Sequence, residues 1–185
     1  TGNIIANNFS RISGMIHCRG SMHTVRIINN IIVNNNVSWN YGGGMYFEGS
    51  DYYDKYVIKN NIIFGNTSGD LKTQIGLGID ANPDFFYNNI EGGINAFTYC
   101  GTGCGAGNYL GQYEYNLDID PMFVYPSKGT GVEFSGVEAD WHLKPTSLCI
   151  NSGDLDTTGL HLPYIDFDSR VRIWDGCIDM GVYEY

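Results

Sequence analysis

Along residues 2 to 95, apolar and polar positions alternate in short bursts and do not recur at helical spacing. Val25 and Ile27 flank Arg26, and Tyr56 and Ile58 precede Lys59 on the other parity. A period of two predicts strands with their charged side chains turned outward. Each burst runs into an asparagine pair and then into a polar, glycine-rich turn, where positive φ is needed. One phrase recurs: Asn3-Ile4-Ile5, Asn30-Ile31-Ile32, Asn61-Ile62-Ile63 and Asn89-Ile90-Glu91, at steps of 27, 31 and 28 residues. A unit of that length buries its apolar side chains only by stacking on its neighbours. The pattern therefore predicts an all-β, right-handed parallel β-helix, a single-stranded solenoid whose equivalent side chains lie about 4.8 Å apart.

A second strand per turn is aligned by its ending. Cys18-Arg19-Gly20-Ser21 matches Phe47-Glu48-Gly49-Ser50, and Ile79-Asp80-Ala81-Asn82 follows more loosely. This register turns Ile16, Met45 and Leu77 inward, then Cys18, Phe47 and Ile79. It turns His17, Tyr46 and Gly78 outward, then Arg19, Glu48 and Asp80. The repeats loosen between residues 96 and 117. From residue 118 to 185 a different segment carries its own echo, Cys149-Ile150-Asn151-Ser152-Gly153 and Cys177-Ile178-Asp179-Met180-Gly181, 28 residues apart. That step matches the earlier turns, so stacking is expected to continue to the C-terminus. The result is one continuous domain of six or seven turns, with repeats over 1–117 and irregular closing turns over 118–185.

Composition narrows the partners. Ten basic against twenty acidic residues leave a net charge of −10, which disfavours nucleic acid and anionic membranes. No run of eighteen apolar residues occurs, so no membrane insertion is expected. Because Thr1 already lies inside a repeat, the chain reads as a piece of a longer polypeptide whose earlier turns cover its N-terminal end. Five cysteines leave at least one outside any internal pair. Cys100 and Cys104 could close a small loop. Cys149 and Cys177, on neighbouring strands, would be either disulfide-bonded or two stacked thiols.

The pattern resembles right-handed parallel β-helix proteins of the pectin-lyase-like superfamily. Its C-terminal part resembles choice-of-anchor Q domain proteins more specifically. The matching segments are Asp118-Ile119-Asp120-Pro121-Met122-Phe123-Val124, Trp141 to Asp154, Asp166-Phe167-Asp168-Ser169-Arg170, and Asp179-Met180-Gly181-Val182-Tyr183-Glu184-Tyr185. The resemblance implies a secreted or surface-anchored bacterial protein. It does not imply one activity, because the superfamily holds lyases, hydrolases, epimerases and adhesins. The arginine base and calcium-binding aspartates of pectate lyases have no matching set here.

Among candidate chemistries, Arg19, Glu48 and Asp80 come first, stacked on one outer face beside His17 and Tyr46. A base with a cation and carboxylates suits β-elimination of a uronate, and paired carboxylates suit glycoside hydrolysis. A surface ion pair is the plainer explanation. Trp39 and Tyr41, with Tyr46, Tyr52, Tyr53 and Tyr56, could form a sugar-stacking platform. Asp154, Asp156, Asp166 and Asp168 are candidates for Ca2+ through Asp-x-Asp pairs, set against a role as turn caps. The asparagine columns are read as a structural ladder. The favoured function is a non-catalytic extracellular module, a surface shaft or glycan-contacting domain, with a polysaccharide lyase or related glycan-active enzyme as the alternative.

Overall fold

The computed structural model describes residues 1–20, 24–39, 41–49, 55–99 and 109–185. The chain is an all-β parallel solenoid of about 3 turns with almost no helix. Three columns of parallel strands form its walls. The Ile sheet stacks Ile4–Ala6, Ile31–Val33, Ile62–Phe64 and Asn89–Ile90, with Ile5 beside Ile32 and Ile32 beside Ile63. The Tyr sheet stacks Ile16–Arg19, Met45–Glu48, Ile75–Leu77 and Phe97–Tyr99. The third stacks Thr24–Ile28, Lys55–Lys59, Asp84–Phe86 and Tyr113–Glu114. A short fourth sheet turns the corner after the Ile sheet through Phe9–Ser10, Asn36–Val37 and Thr67–Ser68, with Leu71–Lys72 added antiparallel.

The asparagine pairs make the corners. In Asn7-Asn8, Asn29-Asn30, Asn34-Asn35 and Asn60-Asn61 the first of the pair holds a left-handed backbone, with φ 51° at Asn29, 56° at Asn60, 56° at Asn7 and 54° at Asn34. Asparagine tolerates this conformation better than other residues with a Cβ. The second turns inward and joins a ladder along the axis. Asn30 donates its backbone N–H and its Nδ2 to Asn61 Oδ1 at 2.9 and 2.8 Å. Asn61 does the same to Asn88, and Asn88 to Asn116. A parallel ladder runs Asn8, Asn35, Asn66 and ends on Gln74. The fourth ladder position is therefore Asn88, not the expected Asn89. Asn89 pairs with Ile62 and faces outward, where its amide bonds the backbone of Ile119.

Two cores result, because adjacent isoleucines in a strand point to opposite faces. Ile32, Ile63 and Ile90 face into the coil with Met45, Phe47, Ile58, Ile75, Leu77 and Phe85. Ile31 and Ile62 face out and are covered by Phe123, Trp141, Leu143, Cys149, Met180 and Val182. That cover is the segment after residue 117, and it overturns the expected six or seven turns. The last parallel bridge joins Asn89 to Leu117. Beyond it the chain stops coiling and folds back along the Ile sheet. Phe123–Tyr125 pairs antiparallel with Asp140–Leu143.

The two Cys-Ile segments also run antiparallel. Met180 N–H bonds Cys149 O at 3.1 Å and Gly153 N–H bonds Ile178 O at 2.9 Å. Cys149 thus lies opposite Met180. Both Cys149 and Cys177 are free thiols, as is Cys18, so of the two expected alternatives the Cys149–Cys177 disulfide is not the one formed. Cys100 and Cys104 lie outside the described residues.

Candidate functional site

The outer face of the Tyr sheet gathers most of the polar and aromatic candidates. His17 stands beside Tyr46, and Arg19 beside Glu48, in successive strands. Glu48 is shared: His17 Nε2 meets its Oε1 at 3.0 Å, and Arg19 Nε meets its Oε2 at 3.0 Å. Ser13 Oγ lies 3.2 Å from His17 Nδ1, so a hydroxyl–imidazole–carboxylate–guanidinium chain crosses two turns. Glu48 and His17 are about a third exposed and Arg19 is 78% exposed. Such a pair adds little stability in water.

Aromatic rings continue the row. His17 and Tyr46 have ring centroids 5.1 Å apart, Tyr46 and Tyr41 5.2 Å, and Tyr41 and Trp39 6.3 Å with planes 24° apart. Trp39 is 58% exposed at the end of the row. The next turn keeps its surface low with glycine at the equivalent positions. Gly76 pairs with Tyr46, and a Cβ there would lie 2.2 Å from the Tyr41 carbonyl oxygen and 2.9 Å from the Tyr46 ring. Tyr46 can lie along the shaft only because residue 76 has no side chain.

Asp80 does not belong to this cluster. Ile75 pairs with Met45 and Leu77 with Phe47, two residues out of the expected register. Asp80 sits in the following turn with φ 61°, and Ile79 is 56% exposed and not part of the core. Tyr56 also leaves the platform: it is buried inside the coil against Phe47. Tyr52 and Tyr53 lie outside the described residues.

The four metal candidates are spread over separate turns and caps. Asp154 pairs with Lys59 at 2.5 Å and accepts the Asp156 N–H. Asp156 accepts the Thr158 N–H. Asp166 accepts three backbone N–H groups, from Asp168, Arg170 and Glu184. Among the described residues no group of three or more His, Cys, Asp or Glu side chains is arranged to hold a metal ion.

A second polar cluster lies on the closing segment. His142 bridges Asp140 at 2.5 Å through Nδ1 and Asp168 at 2.7 Å through Nε2, and its ring stacks on Tyr183 at 3.8 Å. Burial of the ring pulls the His142 pKa down, but the hydrogen bonds and charges of Asp168 and Asp140 outweigh it and the net shift is upward. Asp140 moves the other way: the two hydrogen bonds and the charge of His142 overcome its burial and lower its pKa. Beneath this cluster Arg172, 2% exposed, bonds Glu184 at 3.0 Å and the carbonyls of Gly181 and Val182. Burial pushes Glu184 up to about 8 against the pull of Arg172.

The sequence pointed to His17, Tyr46, Arg19 and Glu48 but missed Ser13 and His142. Asp140 and His142, two apart on a strand, share a face and were detectable. Their partner Asp168, like the link from Ser13 to His17, follows no period. Comparison with protein-family models, with curated proteins and with solved structures found no match.

Proposed function

We propose that this chain is a non-catalytic glycan-contacting module, an extracellular β-helix of the pectin-lyase-like kind with a choice-of-anchor Q type C-terminal segment. The observation that carries this reading is the row Trp39–Tyr41–Tyr46–His17 running into the Glu48–Arg19 pair, with Trp39 58% exposed at one end, Arg19 78% exposed at the other and Tyr46 buried between them at 8%. Aromatic faces stack on the apolar faces of sugar rings. The adjacent carboxylate and guanidinium offer acceptors and donors to ring hydroxyls or a uronate. A row on the outside of a sheet suits an extended chain lying along the shaft, not a substrate enclosed on all sides. β-Elimination would call for an unpaired base poised over bound sugar. Arg19 here is engaged by Glu48, and Asp80 is turned away in its own loop.

The test is binding of the protein to a panel of neutral and acidic polysaccharides. Trp39→Ala is expected to weaken binding by roughly 2- to 10-fold, the value of about 0.5–1.5 kcal/mol for a lost aromatic contact. Arg19→Ala is expected to weaken acidic glycans selectively. Formation of unsaturated uronide products, abolished by Arg19→Ala, would replace this reading with a lyase. Release of acyl groups from an esterified glycan, abolished by Ser13→Ala, would replace it with an esterase built on the Ser13–His17–Glu48 chain.

A further inference from the structure

We propose that the cavity where the coil meets the antiparallel ribbon binds a free α-amino acid with an apolar side chain. The site shares no residue with the Trp39–His17 row. Its volume is about 320 Å3, at the small end of the range for sites that take small molecules. Both halves of the fold supply its walls. Val33 and Phe64 line it from the Ile sheet, and Phe123 and Trp141 from the ribbon. Val33 is 1%, Trp141 3% and Phe123 6% exposed. Phe64, beside Val33 one turn on, is only partly buried. Its ring keeps apolar surface that a further apolar group would remove from water.

The rim supplies two opposite charges. Asp120 and Lys144 both line the cavity and both are exposed. Among the described residues neither forms an ion pair. One residue ties them together: Asp120 Oδ1 accepts the Met122 N–H at 2.8 Å, and Met122 O accepts the Lys144 N–H at 2.9 Å. Met122, itself in the cavity wall, holds a left-handed backbone with φ 57°. That conformation is costly for a residue with a long side chain, and such strain gathers at ligand sites. A carboxylate and an ammonium anchored on one residue match a ligand that carries an ammonium and a carboxylate on one carbon. A peptide keeps its two charges at opposite ends. A sugar would bury hydroxyls against the rings of Phe64 and Phe123, which leave them unpaired. An apolar amino acid meets both demands, with its side chain over Phe64 and its head group between Asp120 and Lys144.

The experiment titrates the intact protein with L-phenylalanine and L-leucine and follows its NMR signals. Saturable shifts are expected at the Trp141 indole N–H and at the methyl groups of Val33 and Met122, with roughly millimolar affinity for so small a ligand. Blocking either charge, in N-acetyl-L-phenylalanine or L-phenylalaninamide, should weaken binding roughly fivefold or more, the value of one charge-assisted contact at an exposed rim. Lys144→Gln should weaken L-phenylalanine to the same extent and leave L-phenylalaninamide, which has no carboxylate, unchanged. Asp120→Asn, which keeps an oxygen for the Met122 N–H, should weaken L-phenylalanine and leave N-acetyl-L-phenylalanine unchanged. Both side chains are exposed, so neither variant threatens the fold. Equal affinity for L-phenylalanine and its two blocked forms would overturn the proposal, because the cavity would then be an apolar hole that reads no head group. So would shifts confined to other faces, or the absence of any shift at about 20 mM amino acid, well above the affinity expected for this ligand.

Discussion

At the scale of single residues the fold rests on a division of labour within each asparagine pair. The first asparagine supplies a left-handed corner and turns its amide outward, where Asn29 Nδ2 holds the carbonyls of Asp179 and Gly181 and Asn60 Oδ1 accepts the Asp154 N–H. The second supplies the buried ladder. Asn61 shows what the ladder is worth, since its side chain serves Asn30, Ile27 and Lys59 from a fully buried position. Asn61→Leu would leave the buried Asn30 N–H and Ile27 carbonyl without partners. At about 1–3 kcal/mol for each such group, the expected loss is roughly 3–5 kcal/mol by urea unfolding. A loss below about 1 kcal/mol would show that the neighbours can re-satisfy the backbone. The sequence announced the pairs and the ladder, but not which member of a pair turns inward. In Asn88-Asn89 the inward role falls on the first, because Tyr87 takes the left-handed corner with φ 54°. Tyrosine is a costly choice there, and stacking on Tyr115 at 4.8 Å, at the same corner of the next turn, offsets part of the cost.

At the scale of elements, the strands were legible and their registers less so. The pattern Ile75, Leu77, Ile79 keeps a period of two past the end of its strand, which stops at Leu77 because Ala81 N–H closes a turn onto Gly78 O. Hydrophobicity carried on where hydrogen bonding did not, and the slip moved Asp80 into a cluster it does not join. His17, Tyr46, Arg19 and Glu48 came out correctly because their two strands match residue for residue. The His142 bridge ties the antiparallel ribbon at Asp140–Leu143 to the turn at Asp166–Arg170, and it has a pH signature. His142 is raised in the folded protein, so protonation favours the folded state. Its stabilisation is fully present below the unfolded value of about 6.5 and is lost as pH rises through the higher folded pKa. An NMR titration of the His142 ring should give a midpoint above about 6.5. His142→Gln should flatten the fall of Tm over that interval. A His142 midpoint at or below the unfolded value would show that burial outweighs the two carboxylates.

At the scale of the whole molecule, the outward isoleucines decide the architecture. A strand reading Ile-Ile places one side chain in the coil and the other outside it, so a shaft of these turns alone would carry an exposed apolar stripe through Ile31, Val33 and Ile62. The closing segment exists in energetic terms to cover that stripe, at about 1.5–3 kcal/mol for each buried aliphatic side chain. The 28-residue echo of Cys149 and Cys177 hid this role, since an antiparallel pair of related segments and a parallel stack give the same spacing. If the segment and the coil share a core, they must unfold together. Trp141 reports on the seam: it is 3% exposed, packs on Phe123 at 5.1 Å and donates to Gly136 O at 3.1 Å. Trp39 and Trp174 are 58% and 75% exposed, so replacing both with phenylalanine leaves Trp141 as the reporter at little cost in stability. In urea, its fluorescence and the far-ultraviolet signal of the coil should change with one midpoint. Gly181 supplies the wedge that tests the coupling. Its φ is 96°, and an added Cβ would lie 3.1 Å from Ile31 Cγ1 and 3.2 Å from Ile62 Cδ1. Gly181→Ala, strained in backbone and crowded at the seam, is expected to cost about 2 kcal/mol and to move both signals together. A Trp141 transition that precedes the loss of β signal would mean that the coil keeps its shape without its cover, and the outward isoleucines would then need another explanation.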